Sequence, residues 1–182
     1  MPAICDAAGT GSDPNLDAEP PQRLLLEIVH DSGDWSWLAE ADAAATDAAA
    51  ALARHPAVMF ARASACLALS SAEAVRRLNR TYRGQDKATN VLSFPAPHDA
   101  RAPAGEPRHL GDVVLAAEVV RAEAEEAGIA PMHHFQHLVV HGLLHLIGYD
   151  HEQDEEAAVM EGLEADILRG LGIADPYRHA AA

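Results

Sequence analysis

Three histidines stand at H-x3-H-x5-H spacing in the stretch His141-Gly142-Leu143-Leu144-His145-Leu146-Ile147-Gly148-Tyr149-Asp150-His151, and that spacing suits one metal ion. Residues four apart on an α-helix share a face, with roughly 5–6 Å between their Cβ atoms. His141 and His145 can therefore aim at one point while the backbone stays regular. Gly148 follows three residues after His145. Glycine accepts the left-handed conformation that commonly closes a helix, and the reversal it permits returns His151 as a third ligand. Three protein nitrogens leave the fourth position of a tetrahedral Zn²⁺ open, which is the catalytic pattern, with bound water titrating near about pH 7. One zinc ion is the expected cofactor. An isolated histidine pair on an apolar helix would read more simply as core residues, but six of the eleven histidines fall within residues 133–151, and the glycine that the geometry needs is present.

The metzincin proteases use the same ligand spacing in H-E-x-x-H-x-x-G-x-x-H, where the glutamate is the general base for peptide hydrolysis. Gly142 occupies that glutamate's place. A metalloprotease is therefore the weaker alternative, because the proton acceptor beside the metal is missing.

The 182-residue chain has 49% apolar and 23% charged residues, which suits one soluble domain with a sizeable core. Residues 1–21 carry Asp6, Asp13, Asp17 and Glu19 with no basic residue before Arg23, and read as a disordered acidic extension. Residues 22–178 are expected to form the single domain. The extension has neither the basic start and apolar run of a signal peptide nor the length of a membrane span. Cys5 and Cys66 lack metal-pair spacing, and a disulfide framework is not expected. The cytoplasm is the expected compartment. A net charge of −15 opposes phosphate binding unless cations gather locally, and they do: Arg76, Arg77, Arg80, Arg83 and Lys87 fall within twelve residues. Arg76 and Arg77 fit a solvated helix face equally well.

The elements that must position these groups can be read in outline. Leu24 to His30 is a first strand, the alanine-rich run from Trp35 to Arg54 a helix, and Val58 to Leu69 a second strand. Ser70 and Glu73 make a capping box for a helix over Ser71–Tyr82. A polar loop, Arg83–Thr89, leads to a strand at Val91–Phe94, and an exposed loop covers residues 98–108. Gly111–Ala116 is a fourth strand. A helix over Ala117–Glu126 ends at Gly128, and Pro131 opens the next. Apolar residues from Phe135 to Ile147 cover nearly its whole circumference, so the metal helix is expected to be the core helix. A last amphipathic helix, Glu155–Leu171, presents Met160, Leu163, Ile167 and Leu171 on one face, with acids on the other. Four strands and several helices predict an α+β (mixed α/β) domain, a small four-stranded sheet with helices packed around a central metal-bearing helix.

Three segments together resemble the YbeY family of bacterial rRNA maturation factors: Leu78 to Phe94 with its Thr-Asn-Val-Leu-Ser-Phe string, Leu110 to Val114, and His137 to His151. The ending Gly172-Ile173-Ala174-Asp175-Pro176-Tyr177 is similar too, and the likeness runs from about residue 22 to 177. The long N-terminal extension, Ala88 in place of a usual proline, and the stretch at 98–106 depart from the pattern. The resemblance implies a zinc-dependent, single-strand-specific endoribonuclease acting in small-subunit rRNA 3′-end processing and ribosome quality control. By the same resemblance His141, His145 and His151 hold zinc, and Arg83 is the functional arginine near the site. Implied partners are single-stranded RNA, ribosomal RNA and the small subunit, with a ribosomal protein or assembly GTPase to position the enzyme, and no membrane.

On this view His141 and Arg83 are the catalytic residues, with the arginine's planar fork matched to phosphate oxygens. His137, one turn before His141, is either an alternative ligand or a packing and supporting residue. Asp150 either orients a ligand histidine or caps the turn. Asn90 and Ser93 line a substrate cleft or satisfy strand-end backbone groups, and Asp112 orients a ligand or stabilises a turn. A ribosome-associated RNA-binding protein with a structural zinc is the competing class.

Overall fold

The computed structural model describes residues 23–60, 62–97 and 102–177, so the acidic extension, Cys5 and part of the 98–108 loop lie outside the described residues. Strands β1 (Arg23–His30), β2 (Arg62–Ser70), β3 (Val91–Pro95) and β4 (Arg108–Ala116) form one sheet in the order β1-β2-β4-β3. β1, β2 and β4 run parallel, and β3 is antiparallel to β4. The helices are α1 (Ala41–Arg54), α2 (Ala72–Arg83), α3 (Ala117–Ala127), α4 (Pro131–Leu146) and α5 (Asp154–Gly170). The fold is α+β, as the alternation of strands and helices predicts.

Side chains alternate across a strand, and β2 obeys this closely: Ala63, Ala65, Leu67 and Leu69 are buried on one face. That face is covered by α1 and α4. Ala44, Ala45, Ala48, Ala49 and Leu52 form the buried side of α1, and small residues on both partners let helix and sheet approach closely. The other face carries a smaller core of Val75, Leu92, Val114 and Ala116 under α2.

Helix α4 sits at the centre and touches α1, α3, α5, β3 and β4. Phe135, Val139, Val140, Leu143 and Leu144 are fully buried along it, and each such side chain stabilises the fold by roughly 1.5–3 kcal/mol relative to exposure. Pro131 occupies its first turn, where a missing N–H costs nothing. Gly142 lies where α4 meets the sheet. A Cβ there would stand 2.6 Å from Val113 Cγ1 and 3.3 Å from Ser93 Oγ, so packing favours glycine, and any larger residue would force Val113 to shift.

Several boundaries differ from the sequence expectation. Helix α1 begins at Ala41, not at Trp35, because Trp35 is buried in the preceding loop, where its indole N–H donates to the Ser70 carbonyl at 3.2 Å and its ring meets Phe135 edge-on. Glu40, in the left-handed region at φ 64°, makes the change of direction. Val58 is buried but precedes the strand, which starts at Arg62. The predicted capping box is not formed. Ser71, not Ser70, caps α2 by accepting from the Ala74 N–H at 3.3 Å, Ser70 donates to Asp31 at 2.7 Å, and Glu73 turns to Arg76 and Arg77. Arg83 is the last residue of α2 instead of the first of a loop.

Gly142→Ala is expected to destabilise the protein by about 1–3 kcal/mol in urea unfolding, since overpacking against a stiff, β-branched Val113 outweighs the helix-propensity gain of about 1 kcal/mol.

Candidate metal centre

The C-terminal end of α4 delivers the histidines. The helix closes with two bonds, Gly148 N–H to the His145 carbonyl at 3.1 Å and Tyr149 N–H to the Leu144 carbonyl at 3.1 Å, the paired reversal that a left-handed glycine allows. Gly148 has φ 96°. Asp150 then accepts from the His151 N–H at 2.8 Å, which holds the returning chain. As a result His141, His145 and His151 come together, with one ligand atom from each inside a mutual separation of 4.8 Å. The ring centroids lie 4.6 Å apart for His141 and His145, 5.4 Å for His141 and His151, and 5.0 Å for His145 and His151.

The donor set fits a metal ion. Nitrogens bound about 2.0–2.1 Å from one tetrahedral zinc lie about 3.3–3.4 Å apart, and His141 Nε2 and His145 Nε2 are separated by 3.1 Å. Burial pushes the His145 imidazole below its ordinary pKa, and the neighbouring His141 and His151 push it further, against the opposing pull of Asp150. A metal ligand must be neutral, and this environment favours that form.

A cleft of about 600 Å³ opens beside the cluster, lined by Arg83, Ser93, Pro95, His145, Asp150 and His151 among others. The end of α2 and strand β3 thus face the end of α4 across a space of ligand size. Neither Arg80 nor Arg83 forms an ion pair among the described residues, whereas Arg76 is held two-pronged by Asp86, at 2.8 and 3.2 Å, and Arg77 by Glu73. Ser93 Oγ donates to the Gly142 carbonyl at 3.2 Å. Asp150 both caps the turn and stands 3.9 Å from His145 Nδ1.

Other candidates are placed elsewhere. Asn90 uses its amide on Glu123 at 2.9 Å and on the Val91 N–H at 2.7 Å, satisfying the start of β3. Asp112 pairs in register with Cys66 and Phe94, on the sheet face away from α4, and contacts His109 at 3.4 Å. His137 lies outside the three-histidine group and contacts Glu164 Oε2 at 2.7 Å.

Glu164 is the residue that sequence reasoning missed. It is 1% exposed, with Oε1 2.8 Å from His141 Nδ1, and it also accepts from the Tyr177 hydroxyl. Burial alone would raise its carboxyl, but the hydrogen bonds from His137, His141 and Tyr177 bring it down to about 2. Burial and the Glu164 charge raise the Tyr177 phenol, so it stays a donor. A signal existed: Glu164 lies four residues after Met160 and three before Ile167, inside the apolar stripe of α5.

Residues 40–172 match the family model described as Endoribonuclease YbeY. The chain belongs to the YbeY family. An Endoribonuclease YbeY of Rhodopseudomonas palustris strain CGA009 is 42% identical over 92% of this chain and 93% of its own length. A second, from strain HaA2, is 47% identical over 96% and 90%. The Endoribonuclease YbeY of Rhodospirillum rubrum is 62% identical over 63% of this chain, spanning 58% of that protein. The YbeY match spans α2, β3, α4 and the turn after it, and so every residue of the histidine cluster and the facing Arg83. No helix among the described residues is long and apolar enough to cross a membrane.

Gly148→Ala is expected to lose about 1 kcal/mol or more of stability, because alanine is strained at φ 96°. Gly162→Ala, at an exposed site inside α5 with no atom near the added Cβ, is expected to gain up to about 1 kcal/mol. Urea unfolding of the two variants checks the contrast.

Proposed function

We propose that this chain is a metal-dependent endoribonuclease that cleaves single-stranded RNA, using one zinc ion held by His141, His145 and His151. The observation that carries this reading is a three-imidazole cluster, His141, His145 and His151, two of whose rings line one cleft with Arg83, an arginine with no ion pair among the described residues, in a YbeY family member. Zinc, when bound, supplies a Lewis acid beside the scissile phosphate.

The protein's own residues supply the rest. Arg83 presents a planar guanidinium whose N–H groups match the non-bridging phosphate oxygens, and it offsets the charge that grows on them during cleavage. His141 and His145 offer nitrogen lone pairs at 3.1 Å separation from adjacent turns of a rigid, buried helix, so the two ligands need no reorganisation. The Asp150 carboxylate, at the cleft wall, can hold a proton or steady His145 from 3.9 Å. Ser93 anchors β3 to α4 through the Gly142 carbonyl and so sets the width between Arg83's side of the cleft and the histidines.

The acidic chain shapes the choice of substrate. With a net charge of −15, unaided capture of RNA is weak and salt-sensitive, which supports delivery by the small ribosomal subunit through a ribosomal protein or assembly GTPase. The reading extends to 3′-end maturation of small-subunit rRNA and ribosome quality control in the cytoplasm. A protease is disfavoured because Gly142 supplies no base beside the cluster, and a side chain there would have to displace Val113. A structural zinc needs a fourth protein ligand, and among the described residues the group holds three histidines.

Cleavage of end-labelled single-stranded RNA by the zinc-loaded protein is expected to vanish in His141→Ala and to fall about 100-fold or more in Arg83→Ala, with Arg83→Lys between. Equal cleavage by all of these proteins would refute the assignment, as would peptide hydrolysis by the native chain. A 2′,3′-cyclic phosphate on the product would identify the RNA's own 2′-hydroxyl as nucleophile.

A further inference from the structure

Glu164 lies in the middle of α5 and is almost fully buried, yet all of its hydrogen-bond partners are donors from other parts of the chain. Oε1 meets His141 Nδ1 at 2.8 Å. Oε2 meets His137 Nε2 at 2.7 Å and also accepts from the Tyr177 hydroxyl. An ionised carboxylate only accepts, so His141 must carry its hydrogen on Nδ1, and its Nε2 keeps the lone pair. That lone pair faces His145 Nε2, 3.1 Å away.

Desolvating a carboxylate is costly, and an apolar side chain at the same place would tie α5 to α4 more cheaply. The retained charge therefore needs a reason beyond holding two helices together. Among the described residues His145 has no carboxylate within hydrogen-bond distance; it has a backbone hydrogen bond with Tyr149. Its nearest carboxylate, Asp150, stands 3.9 Å from Nδ1 and is half exposed.

We propose that Glu164 is the positioning residue of the metal centre: it fixes the tautomer and ring orientation of His141, while His137 and Tyr177 hold it in place. The inference rests on the metal-site reading above. It assigns His137 a supporting place, with Nε2–H turned to the carboxylate and away from the ion. It also makes the segment after α5 part of the site, because Tyr177 stands beyond the helix and completes the carboxylate's hydrogen bonds. Carboxylate partners of ligand histidines orient the ring and strengthen it as a donor, and their loss typically weakens metal binding about 10–100-fold.

The test uses the full chain and its Glu164→Gln and Tyr177→Phe variants. Zinc affinity is measured by competition with a chromogenic chelator, with far-UV circular dichroism and the urea midpoint followed alongside. Glutamine keeps the shape but cannot accept from all three donors. The expected result is a fall in zinc affinity of about 10–100-fold in Glu164→Gln and a smaller fall in Tyr177→Phe, together with altered visible bands of the cobalt(II)-substituted protein. A lowered urea midpoint with unchanged zinc affinity and unchanged cobalt bands would make Glu164 a packing residue only and overturn the proposal. Should Glu164→Gln not fold, Tyr177→Phe decides on the same readouts. Failure of the native chain itself to take up zinc would bring down the metal-site reading, an outcome distinct from equal, tight binding by all three proteins.

Discussion

Burial of α4 is the constraint on which the rest depends. Its apolar residues occupy nearly the whole circumference, so the helix must be surrounded by α1, α3, α5 and the sheet before the chain can fold. A helix clasped in this way is rigid, and rigidity is what a metal site asks of its ligands. The polar imidazoles are tolerated because they sit in the last turns, where the helix emerges beside the cleft and where His141 and His145 are about one-fifth exposed. Close contact has a price at Gly142, where any side chain would have to push Val113 aside. The residue that distinguishes this chain from the H-E-x-x-H proteases is thus explained by packing as well as by the absence of a base.

Electrostatics divide the molecule. Acidic residues crowd α5 and the turn before it, with Asp154, Glu155 and Glu156 in the helix's first turn, where its dipole favours them. Cations gather on α2, but two of its four arginines are neutralised internally: Arg76 and Arg77 are committed to Asp86 and Glu73. What survives near the cleft is a small positive locus around Arg83, set within an acidic surface. Such an arrangement suits precise placement of one phosphate better than long-range attraction of a polyanion.

The fold lets distant segments meet at the histidine cluster. The end of α2 supplies Arg83, β3 supplies Ser93, α4 and its turn supply the three histidines, and α5 supplies Glu164. The Trp35 loop acts at a distance, since its indole packs on Phe135 and so steadies the base of α4. Stability and site geometry are therefore coupled through one helix, and damage to the core beneath α4 would be felt at the histidine cluster.

Much of this was legible in the chain. Helical spacing of His141 and His145, the turn at Gly148 and the all-round apolar character of α4 are local properties, set by periodicity and glycine's conformational freedom, and local properties can be read from neighbours in sequence. The YbeY likeness of the same strings added the cleft arginine. Boundaries such as the start of α1 and the cap of α2 were not legible, because Trp35 and Ser70 answer to partners thirty-five or more residues away. Glu164 shows the limit most clearly. Its position in the apolar stripe of α5 announced burial, but only the tertiary structure decided that a carboxylate there would face His137, His141 and Tyr177, since sequence periodicity specifies which side of a helix is buried and not what that side will meet.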